Sequence, residues 1–252
     1  MQKVMNQIQA SKQLKVSCDS CSLSELCLPR GLSAKEMDLL DEHIERPRNL
    51  APNAQIYQPG DKFVGFYAVR SGGVKTYLTK KTGEQQILGF HLPGEVFGLD
   101  GLENSKQRCY ASTMENTSYC ILPYDQLDQL CETMPELRHQ VCNLLGHEMN
   151  CDHSHLLLLG QQTAHERLAT FLLSISSRFK RRGFSPTSFL LPMSRHDIAG
   201  YLGIAVETVS RLFKSFQEKG IVKINRKQVD IVDLDKLNEM VANCEESDQP
   251  FS

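Results

Sequence analysis

The chain has 252 residues, 40 % of them hydrophobic, with 28 Lys and Arg against 30 Asp and Glu for a net charge of −2. That length exceeds one typical domain, and the apolar share supplies a core for each of two folded units. The longest aliphatic run, LLLL at 156–159, is far too short to span a bilayer, and the opening MQKVMNQIQASKQLKV has no apolar signal region, so a soluble cytoplasmic protein with no membrane partner is expected.

In chain order, the first chemical feature is CDSCSLSELC at 18–27. C-x2-C-x5-C sets three soft thiolates on one short loop, able to wrap a metal centre while a fourth ligand from elsewhere ties the loop down. The chain has nine cysteines, an odd number that argues against a secreted disulfide framework and for metal binding or redox chemistry. The spacing leaves an iron–sulfur cluster, a zinc ion and a redox disulfide open. It also leaves the fourth ligand open among Cys109, Cys120, Cys131, Cys142, Cys151 and Cys244, any of which serves equally as a small buried apolar residue.

From about residue 46 to 124, short alternating apolar runs are broken by PG, SGG, TGE, PGE and DG at hairpin spacing, which predicts an antiparallel sandwich or roll. Beyond Pro123 a long, nearly glycine-free stretch predicts helix through to about residue 179. Within it Cys142, Leu145, Met149, Asp152, Leu156 and Leu159 follow the 3,4 spacing of a coiled-coil seam. Either that stripe packs on the roll with Asp152 at its margin, or it joins a parallel homodimer in which two Asp152 carboxylates oppose association. His153 and His155 have no matching metal partner on that helix and are expected in solvent.

Residues 160–230 hold 12 Lys and Arg against 5 Asp and Glu, the balance of a nucleic-acid-binding unit joined to an acidic partner. Inside this region RHDIAGYLGIAVETVSRLFKSFQEKG, 195–220, predicts a helix-turn-helix: Ile198, Ala199 and Leu202 form one face, Gly203 the left-handed turn, and Val209, Leu212 and Phe213 the facing side. Glu207, Thr208, Ser210, Arg211 and Lys214 then remain for DNA, where Arg forks onto guanine and Glu accepts from cytosine N4. The following IVKINRKQVDIVD reads as a wing hairpin with Arg226 and Lys227 on phosphates.

The order of β-roll, long helix and winged helix-turn-helix, an α+β architecture, resembles the catabolite-activator/FNR superfamily of bacterial transcription regulators. Within it, CDSCSLSELC, GFHLPGEVFGLDGL, HERLATFLLSISSRF, RRGFSP and VETVSRLFKSFQEKG resemble the oxygen-sensing FNR branch, the fumarate and nitrate reduction regulators, over about residues 17–235. The organisation so implied is a cluster-binding segment at 1–29, a β-roll at 30–134, a dimerisation helix at 135–160 and a DNA-binding domain at 161–252. The resemblance further implies a [4Fe–4S] cluster on Cys18, Cys21, Cys27 and Cys120, converted toward [2Fe–2S] by oxygen, with homodimers when loaded and monomers in air. For the recognition helix it implies that Val206, Glu207, Ser210 and Arg211 read a TTGAT-like inverted repeat. Ser71, Gly83 and Phe184, the last in KRRGFSPTSF, resemble surfaces by which the family touches RNA polymerase, although a solvated basic loop and an ordinary hairpin turn explain the same residues.

A cyclic nucleotide is the rival effector. Leu99 stands where the roll's ribose-binding Glu would be, and Cys109 rather than Ser follows Arg108, so no nucleotide binding is expected. The rivals in function are a zinc-stabilised DNA-binding regulator and an iron–sulfur or thiol oxidoreductase. Against the second stands the lack of a cofactor-binding glycine fingerprint or a nucleophile–base arrangement.

Overall fold

The computed structural model describes residues 17–46 and 49–241. Helix α1 (Ala34–His43) follows the cysteine loop and starts on a capping box in which Ser33 and Glu36 satisfy each other's backbone amides. Seven short strands then build the roll: β1 (Gln55–Tyr57), β2 (Gly65–Ser71), β3 (Val74–Thr79), β4 (Gln85–His91), β5 (Val96–Phe97), β6 (Tyr110–Thr113) and β7 (Ser118–Pro123). They pair antiparallel as two sheets, β1-β6-β3-β4 and β5-β2-β7. Alternate residues point inward, so Tyr57, Tyr67, Val69, Phe97 and Tyr119 fill the space between the sheets, Tyr67 and Phe97 stacking at 5.1 Å.

The continuous helix predicted after Pro123 is instead three helices: α2 (Tyr124–Thr133), α3 (Pro135–Gln161) and α4 (Ala164–Arg181). Pro135 explains the first break, because its missing N–H and fixed φ suit a helix start and not an interior. The second comes where Gln162 is extended and the side chains of Thr163 and Glu166 form a new capping box. Among the described residues no helix is long and apolar enough to cross a membrane.

The C-terminal unit adds β8 (Ser188–Leu190), α5 (Arg195–Leu202), α6 (Val206–Glu218), β9 (Val222–Asn225), β10 (Gln228–Ile231) and α7 (Leu234–Glu239), with β8-β10-β9 as the third sheet. Its core of Leu168, Leu172, Ile175, Ile198, Val209 and Phe216 is fully buried, each side chain contributing about 1.5–3 kcal/mol of transfer free energy. Ile87, Phe90 and Met114 of the roll join the same cluster, so the two units share one apolar interface. Polar ties reinforce it: Lys75 of β3 pairs with Asp197 of α5 at 2.5 Å, and the Gln86 side chain donates to the Gly200 carbonyl at 2.8 Å.

Candidate cysteine centre and nucleic-acid interface

The cysteine loop is wound by its own backbone. Amides of Cys21, Ser24, Leu26 and Cys27 donate to the carbonyls of Cys18, Cys21, Leu23 and Ser24, with a 3-10 turn at Ser24–Leu26. Cys120 lies in the middle of β7, opposite Ala68 of β2, and the strand's alternation turns Tyr119 into the roll and Cys120 out of it. Cys18, Cys21, Cys27 and Cys120 thereby line one apolar cavity, closed by Leu28, Leu40, Ile44, Phe66 and Leu122. Cys109, by contrast, is buried beside Tyr57 inside the roll, Cys131 is half-buried, Cys142 and Cys151 are exposed, and Cys244 lies outside the described residues.

Burial pushes the Cys18 and Cys27 thiols up to about 12 each, and burial likewise raises Cys120. At Cys18 the Asp41 carboxylate adds to the rise and the positive charge of Arg46 works against it, and at Cys120 Arg46 and Arg70 work against the rise. Cys120 and Cys21 each disfavour ionisation of Cys27, as close like charges do. Among the described residues no group of three or more His, Cys, Asp or Glu side chains is already arranged to hold a metal ion. Four soft thiol donors lining one apolar cavity are the donor type that holds an iron–sulfur group, and equally a tetrahedral zinc ion.

The cavity touches the turn between β4 and β5. Gly94 lines it at φ 88°, and a Cβ there would stand 2.9 Å from the Leu26 Cβ, so only glycine admits the loop. The next residue, Glu95, is clamped by two arginines from the end of α4. Arg178 Nε donates at 2.9 Å and Arg182 at 2.6 Å, while Arg182 Nε also reaches the Pro93 carbonyl at 2.7 Å. Burial opposes the Glu95 charge, but Arg178 and then Arg182 outweigh it and hold the carboxyl down at about 2.

On α6 the sequence pattern divides as helical spacing requires. Val209, Leu212, Phe213 and Phe216 are buried; Glu207, Ser210, Arg211 and Lys214 are exposed; Val206 and Thr208 are half-buried. No ion pair joins Glu207 to Arg211 among the described residues, so both heads face outward without neutralising each other; Lys214 instead pairs with Glu218 at 3.8 Å. Gly203 makes the turn at φ 64°, and the Arg195 guanidinium lies 3.6 Å above the Phe213 ring, fixing α5 on α6. In the wing, Arg226 and Lys227 form the tight turn between β9 and β10. Arg226 is exposed at φ 56°, and Lys227, also exposed, donates one Nζ–H to the Pro192 carbonyl at 3.0 Å and keeps two N–H donors and its charge.

Most of the predicted seam on α3 is open. Cys142, Met149, Asp152 and Leu156 are exposed, Met149 at 60 % and Leu156 at 67 %, and Leu145 is half-covered, so the stripe does not pack on the roll. Leu159 has turned toward the C-terminal core, against Gly203. The expectation that His155 lies in solvent is corrected: its ring stacks on Tyr201 at 4.1 Å and it bonds the Tyr201 carbonyl at 2.9 Å, because α5 packs beside this end of α3. Ser71 is exposed, sharing a 2.6 Å hydrogen bond with Ser118; Gly83 tips the β3–β4 turn; Phe184 is 62 % exposed and leans on Phe179.

Residues 166–240 match the family described as the Crp-like helix-turn-helix domain, and residues 47–134 match the cyclic nucleotide-binding domain family. The chain is 46 % identical to the transcriptional activator protein Anr of Pseudomonas aeruginosa, over 86 % of this chain and 88 % of that one. It is 39 % identical to the fumarate and nitrate reduction regulatory protein of Vibrio cholerae, over 92 % and 93 %. The chain belongs to the CRP/FNR family of transcription regulators, as an FNR-type member. FixK2 from Bradyrhizobium japonicum has the same fold, with a TM-score of 0.71 and 30 % identity across 78 % of this chain and 96 % of that one.

For an FNR-type regulator, three features of this site escaped the sequence. The Asp41–Arg46 ion pair beside Cys18, the Glu95 clamp and the Lys75–Asp197 tie join residues 5 to 122 positions apart, with no motif to mark them. The GEVF segment was conspicuous, but nothing in its spacing said that its Glu meets two arginines of α4.

Proposed function

We propose that this FNR-type protein is an oxygen-responsive cytoplasmic transcription regulator, and not an enzyme, whose Cys18, Cys21, Cys27 and Cys120 hold a [4Fe–4S] cluster. The observation that carries the reading is that those four thiols, from a loop and a strand about 100 residues apart in sequence, line one apolar cavity. What a bound [4Fe–4S] cluster supplies there is reactivity toward oxygen, with conversion toward [2Fe–2S]. The chain's own part is mechanical: the cavity keeps water from the sulfurs, Leu26 presses on the Gly94 turn, and Glu95 joins that turn to Arg178 and Arg182 of the DNA-binding unit.

Dimerisation is the second part of the reading. The exposed apolar residues Met149 and Leu156 invite a second copy, while Asp152 between them brings two like charges together on a surface losing its water. Association is then marginal and open to bias from the cysteine loop, whose Cys27 and Leu28 join the apolar cluster of Leu137, Val141 and Leu144 in the first half of α3. In the dimer two α6 helices face successive major grooves of a TTGAT-like inverted repeat, Arg211 donating to guanine and Glu207 accepting from cytosine. Val206 and Ser210 complete the reading face, and Ser71, Gly83 and Phe184 are surfaces for RNA polymerase.

A cyclic nucleotide is not the effector in this reading. The Asp100 carboxylate accepts from the amides of Arg108 and Cys109, at 2.7 and 3.0 Å, so those amides are already engaged by an anion of the chain. Arg108 itself pairs with Glu103, and aromatic rings fill the roll. The test of the proposal is iron and acid-labile sulfide content on protein purified without oxygen. Near-equal iron and sulfide, lost in Cys120→Ser, is the expected result; zinc without sulfide makes the site structural, and turnover of a redox substrate makes the protein an oxidoreductase.

A further inference from the structure

A cavity lined by four thiols is a poor place for the negative charge that thiolate ligation brings, unless a cation stands beside it. Arg46 stands there. Its Nη2 lies 3.7 Å from the Cys18 sulfur, within reach of an N–H···S hydrogen bond, and its Nη1 donates to the Ile44 carbonyl at 3.4 Å. The same Nη2 pairs with Asp41, whose Oδ1 also accepts the Cys18 amide at 2.7 Å. Asp41 thus fixes the backbone of the first cysteine and the guanidinium over its sulfur at once. Both side chains are largely covered, at 18 % and 23 % exposure, so the arrangement is part of the packed structure and not a surface ion pair.

We propose that Arg46, oriented by Asp41, is a positioning residue of the cysteine centre: it donates to the Cys18 sulfur and balances the charge of a thiolate-held iron–sulfur group. The inference rests on the cluster reading above. Partners that orient ligands typically change metal retention by about 10- to 100-fold, and hydrogen bonds to the sulfurs together with nearby charge set a cluster's reduction potential. Removing the cation leaves the more negative, reduced state less favoured, so the potential must fall.

The experiment loads wild type, Arg46→Gln and Arg46→Lys without oxygen, then follows visible absorbance during incubation with EDTA and during a redox titration. Arg46→Gln is expected to lose its absorbance about 10- to 100-fold faster than wild type and to titrate at a more negative potential. Arg46→Lys, which keeps the charge without the planar fork, is expected between the two in retention, with a potential near wild type. A purely structural tie would lower thermal stability and leave the potential unmoved, so Arg46→Gln matching wild type in potential overturns the inference, as does matching it in retention. If Arg46→Gln does not fold, Arg46→Lys with wild-type retention overturns it. Wild type that takes up no iron or sulfide overturns the cluster reading and this inference with it.

Discussion

The cysteine loop and the DNA-reading unit are held together by opposite means. The unit around α4, α5 and α6 has a large apolar core, capping boxes at Thr163 and Ser194, and a cation stacked on Phe213, so its helices are fixed on one another by their own packing. The loop from Cys18 to Cys27 has one short 3-10 turn with no buried residue in it and thiols that burial has made costly to ionise. In the proposed reading the DNA reader, which must present the same side chains at every site, is built rigid, and the sensor is left dependent on what its thiols hold.

That contrast can be broken first at the loop. Cys120→Ser is expected to abolish cluster loading altogether while leaving the far-ultraviolet circular dichroism of the roll and the C-terminal unit intact; loss of helix signal would mean that the loop is not a separable element. The next effect lies at the junction. Glu95→Ala leaves Arg178 and Arg182 buried without their carboxylate, at a cost of about 3–5 kcal/mol, measurable as a lower urea midpoint. The sign with pH follows from the depressed carboxyl: below its ordinary 4.5 the unfolded chain takes the proton first. The stability from the clamp is therefore present above pH 4.5 and lost as pH falls toward about 2, a loss that Glu95→Gln should remove.

On the reading unit the effects are smaller and of another kind. Arg211→Ala should weaken binding by about 1–3 kcal/mol and relax selectivity at one base pair, whereas Arg226→Ala should weaken binding evenly across sequences and flatten its salt dependence. Smallest in free energy is Asp152→Ala, expected to shift the apoprotein toward dimer in sedimentation and to restore binding under air. An apoprotein variant that stays monomeric would show that like charge at Asp152 is not what keeps association weak.

The two regions also differed in how legible they were. The helix-turn-helix was readable residue by residue, because Ile198, Ala199, Leu202, Gly203, Val209, Leu212 and Phe213 are local and their periodicity is their structure. The cysteine centre was half legible. Three ligand candidates announced themselves by spacing, but the fourth came only through a family resemblance, since Cys120 meets the loop by strand pairing and not by sequence proximity. Helix breaks at Pro135 and Thr163 were present in the sequence as a proline and a capping box, yet the long helix-forming run around them, with only Gly146 and Gly160 in it, hid both. Arg46, Glu95 and Lys75 were not legible at all, because a charged residue's partner across the fold leaves no periodic trace.

The central claim is that the state of the cysteine centre sets dimerisation and DNA affinity together. One measurement reaches it directly: analytical ultracentrifugation of protein prepared without oxygen, mixed with a labelled TTGAT-like inverted repeat, before and after air is admitted. A coupled switch gives a protein dimer on DNA that becomes free monomer as the visible absorbance bleaches. A dimer that stays on DNA after complete bleaching would show that the thiols and the recognition helices are not coupled.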